Sequence, residues 1–268
     1  MNRKVDANEL FLRVKAHSKE NYIFLYSVMK ALTMYSAAVA LHTIVSGWAN
    51  GNSTFLIRLP YWLASFAAMI LTYIATMVGM LVIAYVPNWE DAVVPFTLAG
   101  VEYLLFSVLA DSNPNSSLWH QWPLVFAAFC FVCFIKIVNA VRKMRVANYE
   151  PDLKELITTY RTNIIKNDIP ASGFGALVAL IVWLSFNHAF RIPFLRPLIP
   201  DISENWQSLF GIPCLVMMIF AIYTAERFRW HIVRTLRQMV SGDKSPPALH
   251  DIPQTNNLPS RRIASGRG

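Results

Sequence analysis

The sequence predicts an all-α integral membrane protein with about six transmembrane helices and with both termini in the cytoplasm. Of its 268 residues, 55% are hydrophobic and only 15% are charged, and the mean hydropathy of +0.38 is too high for an ordinary soluble domain. The apolar residues form long stretches, and basic residues cluster beside three of these stretches. No motif in the sequence identifies a known family fold.

Six stretches have the length and composition of membrane spans, because a helix needs about 20 residues to cross a hydrocarbon core of ~30 Å. They cover residues 23–47, 62–86, 93–110, 122–140, 173–190 and 208–225. The first stretch is longer than the apolar part of a signal peptide, so we expect it to be retained. The predicted organisation is a cytoplasmic N-terminal segment over 1–22 and a transmembrane bundle over 23–225.

Lysine and arginine residues predict the orientation, because short loops rich in them stay in the cytoplasm. They crowd the segments before the first span, after the fourth and after the sixth. The loops 48–61, 111–121 and 191–207 carry few basic residues, and Arg58 is one exception. This topology accounts for the formal net charge of +8, so the expected charged partners are anionic membrane lipids rather than nucleic acid.

The segment between the fourth and fifth spans predicts an amphipathic cytoplasmic helix over about 151–166. Pro151 suits the first helical position, and Pro170 is expected to end the helix. Helical spacing gives this segment an apolar stripe, which includes Leu153, Leu156 and Tyr160. The stripe suits contact with the inner leaflet or with the bundle, and docking of a soluble partner is the alternative.

The sixth span is predicted to continue as a basic cytoplasmic helix over 226–240, followed by a disordered tail over 241–268. The extension carries Arg227, Arg229, Arg234 and Arg237, which are candidates for docking lipid or a protein partner. The tail is rich in Pro, Ser and Asn, and such a composition buries too little apolar surface to fold alone.

The second span contains a seam of small residues at spacings of three and four. Its members are Ser65, Ala68, Thr72, Ala75 and Gly79. Small side chains allow membrane helices to approach closely. The seam therefore predicts helix packing, either inside one bundle or across the axis of a homo-oligomer in which Thr72 and Thr76 face a pore.

Three ionisable residues fall inside predicted spans, where charge is costly and often functional. Lys30 and Glu102 lie at depths that differ by only about 3 Å when counted from the cytoplasmic ends of their spans, so they could pair. Lys136 either reaches toward Glu102 or extends to the headgroups. The cluster is interpreted either as ion pairs that fix helix register or as a site on an ion or solute path, with His42 and Asn139 as weaker candidates.

Cys130 and Cys133 form a CxxC pair within the fourth span. Such a pair serves redox chemistry when one thiol is activated, as in quinone-linked disulfide-forming membrane enzymes, which this stretch resembles in that single respect. The outer loops lack the second cysteine pair that such enzymes use, and neighbouring phenylalanines disfavour a thiolate. We therefore interpret both cysteines as small apolar core residues, with a thiol oxidoreductase as a remote alternative.

These observations favour a non-enzymatic membrane subunit of a larger assembly, acting as an anchor or scaffold and, as an oligomer, forming a pore. A secretion or conjugation apparatus, or a membrane-acting defence system, would place it in a bacterial inner membrane with other protein subunits. The alternative is an ion or small-solute transporter that uses Glu102 with Lys30 or Lys136. The sequence contains no recognisable motif for a catalytic, cofactor or metal site.

Overall fold

Among the residues that the structure describes, five helices are long and apolar enough to cross a membrane. The computed structural model describes residues 7–82, 89–113, 118–146, 151–186 and 209–241. The five candidate spans are Tyr22–Ala49, Phe55–Met77, Leu118–Arg145, Leu153–Ser185 and Gly211–Thr235. Across the described residues the regular structure is entirely helical. The chain is therefore a multi-pass integral membrane protein, as the composition predicted.

The predicted third span, 93–110, forms a shorter apolar helix, Val93–Ser107. Fifteen helical residues rise only about 22 Å, which is less than the ~30 Å of a hydrocarbon core. The N-terminal turn that precedes this stretch carries Glu90 and Asp91, which shortens the apolar length. By length and composition the described residues thus contain five candidate spans, and a sixth crossing at this helix stays a prediction.

The helices are numbered here in chain order. They are α1 (Ala7–Ala49), α2 (Thr54–Ile57), α3 (Leu59–Val82), α4 (Trp89–Ser107), α5 (Trp122–Val146), α6 (Pro151–Asn163), α7 (Ile169–Phe186) and α8 (Gly211–Ser241). A 3₁₀ turn, Leu118–Gln121, precedes α5. The helix α1 starts inside the segment that was predicted to precede the first span. The predicted tail, apart from Ser241 at the end of α8, lies outside the described residues.

The amphipathic helix expected at 151–166 is present as α6, but its predicted end at Pro170 is wrong. A π-helical turn, Ile164–Asp168, joins α6 directly to α7. In this turn the backbone N–H of Ile169 donates to the carbonyl of Ile164, which changes the hydrogen-bond register just before the proline. Because Pro170 has no N–H to donate, a register change at this point lets the helix continue through it.

Helix α4 packs against α1, α3 and α5, and α7 packs against α5. The most buried span is that of α3, with 50% of its most apolar 18 residues buried, against 22% for α5 and 17% for α8. The aromatic core lies beside α3, where Tyr61 and Trp122 meet edge to face and Trp122 stacks on Phe126. The most buried candidate span, α3, thus lies beside the aromatic core, and α4 packs against three other helices.

The internal contacts divide the chain into two units, 1–226 and 227–268. The first unit contains α1 to α7 and the first half of α8. In the second unit the described residues are the C-terminal half of α8, which ends at Ser241 and carries the basic residues predicted for the extension.

Two glycines are needed at particular points of the first unit. Gly51 has φ +87°, a left-handed conformation that glycine adopts freely, and it reverses the chain between α1 and α2. Gly211 begins α8 against the start of α3, where a Cβ atom would lie 2.9 Å from the backbone nitrogen of Tyr61 and 3.0 Å from the Cβ of Pro60. No Cβ fits there without a movement of backbone.

We expect Gly211→Ala to lower the thermal unfolding temperature in mild detergent, because overpacking against backbone costs about 1–3 kcal/mol. Gly100→Ala is the matched control, since a Cβ at Gly100 meets nothing within 4 Å. That control should be neutral or stabilising, because alanine is favoured over glycine inside a helix by ~0.5–1 kcal/mol. Equal unfolding temperatures for the two variants would contradict the close approach of α8 to α3.

Candidate functional site in the membrane bundle

Lys30 of α1 and Glu102 of α4 form a buried ion pair. The Lys30 Nζ atom lies 2.6 Å from Oε1 and 2.5 Å from Oε2 of the carboxylate. The Glu102 side chain is completely buried, and the Lys30 side chain is 11% exposed. Two charges this deep in an apolar bundle require partners for all their hydrogen-bonding groups.

Helix α3 supplies those partners. Lys30 also donates to the hydroxyl of Thr72 at 2.7 Å and to the carbonyl of Met69 at 3.4 Å, so its three N–H groups are used. The Thr72 hydroxyl in turn donates to Oε1 of Glu102. The resulting triangle of Lys30, Thr72 and Glu102 is closed, and it joins three helices at one depth.

Helix α5 joins the network through Lys136, which donates to the hydroxyl of Thr76. Thr76 lies one turn after Thr72 and donates to its carbonyl at 2.7 Å. Lys136 therefore meets the triangle indirectly, through Thr76, rather than by contact with Glu102. The three charged residues predicted from the sequence thus belong to one polar network across four helices.

Tyr26 is a member of this network that the sequence analysis missed. It is 2% exposed, and the ammonium group of Lys30 lies over its ring, 5.3 Å from the centroid. Its hydroxyl lies beside Thr72 and Thr76 but makes no hydrogen bond of good geometry with any described residue. Its position four residues before Lys30 is the signal that was available, because residues i and i+4 share one helix face.

Arg58 forms a second buried polar group, at the start of α3. It is 1% exposed, and its guanidinium donates to the carbonyls of Leu109, Asp111 and Asn113, just after α4. Its charged group also stacks over the ring of Phe55 at 4.5 Å. The sequence analysis noted Arg58 only as an exception to the charge distribution, and its contacts show that it holds the segment that follows α4.

The small seam of α3 is buried over only part of its length. Ser65, Ala68 and Thr72 are buried, and Trp122 of α5 donates to the Ser65 hydroxyl at 2.9 Å. Ala75 is exposed, and a Cβ at Gly79 would meet nothing within 4 Å. The first half of the seam thus packs inside this bundle, and its second half has no close neighbour among the described residues.

The CxxC cysteines lie in the interior as free thiols, as does Cys214. The sulfur of Cys130 fills the space in front of Gly175, where a Cβ would lie 3.3 Å away. Cys133 is half-buried, one turn before Lys136. Within the described ranges, no group of three His, Cys, Asp or Glu side chains is placed to hold a metal ion. His42 is exposed and Asn139 is half-buried.

The candidate docking residues differ in accessibility. On α6, Leu156 is 7% exposed, and Leu153 and Tyr160 are half-buried, so part of the apolar stripe is already covered. On the basic extension, Arg227 and Arg234 are exposed and Arg229 is half-buried. Arg237 lies in the last part of α8. The exposed docking candidates are therefore the arginines rather than the α6 stripe.

A comparison of this chain with protein-family models, with curated proteins and with solved structures finds no match.

We expect Lys30→Met and Glu102→Leu to be strongly destabilising as single changes, because each leaves one buried charge without its partner, at a cost of about 3–5 kcal/mol. The double variant, Lys30→Met with Glu102→Leu, removes both charges and should recover most of the lost stability. Thermal unfolding and monodispersity in detergent measure this. If the double variant loses as much stability as the sum of the losses in the two single variants, the two charges do not depend on each other.

Proposed function

We propose that this chain is a non-enzymatic membrane subunit, an anchor and scaffold within a larger assembly of a bacterial inner membrane. A secretion or conjugation apparatus, or a membrane-acting defence system, is the setting we favour. The observation that carries the proposal is the closed triangle of Lys30, Thr72 and Glu102, in which both carboxylate oxygens are occupied.

The triangle favours a structural role because it leaves Glu102 little capacity to exchange ions. A carboxylate on a conducting path needs contact with water or with the conducted ion, whereas the Glu102 side chain is 0% exposed. Buried polar pairs can instead select one helix register from several of similar packing energy. A rigid bundle of this kind is suited to holding partners in a fixed position.

The outer faces of the spans support assembly with other membrane components. Helices α5, α7 and α8 direct large apolar side chains away from the bundle, including Phe131, Phe174, Val216 and Phe220, which are between 57% and 67% exposed. Such faces contact lipid tails or the helices of a neighbouring subunit. The exposed arginines after residue 226 give soluble partners or anionic lipid a separate attachment site.

A transporter for an ion or small solute is the second candidate. It is favoured by the network of Tyr26, Thr76 and Lys136, which contains donors not used by the triangle. In that case Glu102→Gln would abolish flux in proteoliposomes while the protein stays folded.

Gentle extraction from the native membrane followed by native mass spectrometry tests the scaffold function. We expect stoichiometric protein partners to remain bound to the wild-type chain. We expect Arg227→Glu with Arg234→Glu to lose at least the soluble partners, because reversing two exposed charges repels an acidic surface. Arg227→Lys with Arg234→Lys is the control that keeps the charge and should keep the partners.

Two outcomes would contradict this proposal. A bare monomer from several mild detergents, with the double-arginine variants indistinguishable from wild type, would argue against any assembly. Loss of flux in Glu102→Gln at unchanged unfolding temperature would favour the transporter instead.

A further inference from the structure

Lys136 is the one charge of the buried network that has no charged partner in the described part of the chain. Lys30 is neutralised by Glu102, whereas Lys136 donates only to the neutral hydroxyl of Thr76. The network therefore carries one excess positive charge inside a membrane-spanning bundle. Such a charge is costly in an apolar environment unless an anion or water lies beside it.

A second unused donor lies at the same place. Tyr26 is 2% exposed, and its hydroxyl lies beside Thr72 and Thr76 without a hydrogen bond of good geometry to any described residue. A buried hydroxyl without a well-aligned partner destabilises the folded protein. The Thr76 hydroxyl donates to the carbonyl of Thr72 and accepts from Lys136, and its remaining acceptor site receives no well-aligned hydrogen bond from Tyr26.

A polar strip connects this place with the basic end of α5. Lys136, Asn139 and Lys143 are spaced by three and four residues and so share one face of the helix, and all three are half-buried. The last turn of α5 carries Lys143 and Arg145. A negatively charged group can therefore reach Lys136 along polar side chains, without crossing a wholly apolar surface.

We infer that Tyr26, Thr76 and Lys136 form a binding site for a phosphate group, entered from the basic end of α5. The Lys136 ammonium and the Tyr26 hydroxyl donate to the phosphate oxygens, and Thr76 positions the ammonium. A phosphate supplies the missing negative charge and the missing acceptor together. Basic sites between membrane helices are suited to the headgroups of anionic lipids, and free phosphate offers the same chemistry.

The test uses the full chain in a maltoside detergent, which has no phosphate group, with phosphatidylglycerol or inorganic phosphate added separately. Binding is read from the thermal unfolding temperature, since a ligand that binds the folded state raises it. Lipid that stays bound is counted by native mass spectrometry. We expect phosphatidylglycerol to stabilise the wild-type protein, and stabilisation by inorganic phosphate alone would assign the same site to the free ion.

Two variants remove one donor each. Lys136→Met should lower the affinity for the ligand that stabilises the wild-type protein by at least about tenfold. Lys136→Arg should keep most of that affinity, because it keeps the charge. Tyr26→Phe should be neutral or stabilising in detergent alone, where its hydroxyl lacks a well-aligned partner, and should weaken ligand binding several-fold. Lys166→Met and Tyr73→Phe are matched controls at exposed positions and should bind as wild type does.

Tyr26→Phe should leave the unfolding temperature without ligand unchanged or raise it, and should reduce the increase that the ligand causes. A general loss of structure would instead lower the unfolding temperature under both conditions. This variant also keeps the test decisive if Lys136→Met does not fold. The proposal is overturned if neither ligand stabilises the wild-type protein. It is likewise overturned if Tyr26→Phe and Lys136→Met bind the ligand as tightly as their controls.

Discussion

The pairing of Lys30 with Glu102 is the constraint on which the rest of the bundle depends. Both charges are buried in an apolar environment, where neither is tolerated alone. Only an arrangement that brings α1 and α4 to matching depths satisfies both. Thr72 then fixes α3 against the pair through hydrogen bonds to both residues, so a single electrostatic requirement sets the register of three helices.

The remaining polar contacts extend this arrangement toward the helix ends. Arg58 holds the carbonyls that follow α4, and Trp122 holds α5 to α3 through Ser65. Arg58 precedes α3 directly, and Ser65 belongs to α3, so both contacts tie neighbouring helices to the first part of α3. Helices α5, α7 and α8 have more freedom to contact lipid or other subunits.

The network combines a closed part with an open part. The side chains of Lys30, Thr72 and Glu102 hydrogen-bond to one another in a closed set. Such a set of contacts favours a rigid bundle, which is what a scaffold needs. The Tyr26 hydroxyl has no hydrogen bond of good geometry, and the Lys136 ammonium donates to the neutral hydroxyl of Thr76. The proposed ligand site would therefore use members of the cluster that the triangle does not.

The sequence by itself determined the membrane class, most of the span positions and the residues of the ion pair, because length, hydropathy and isolated charges are properties of the chain that need no partner. Helix depth even suggested that Lys30 and Glu102 could meet. Only the tertiary structure decided that Lys136 bonds to Thr76, that Tyr26 completes the network and that Arg58 holds the segment that follows α4. The tertiary structure also shows that a π-helical turn joins α6 to α7, so that the helix continues through Pro170. Those features depend on how the helices are rotated and which faces they share, and a linear pattern of residues does not contain that information.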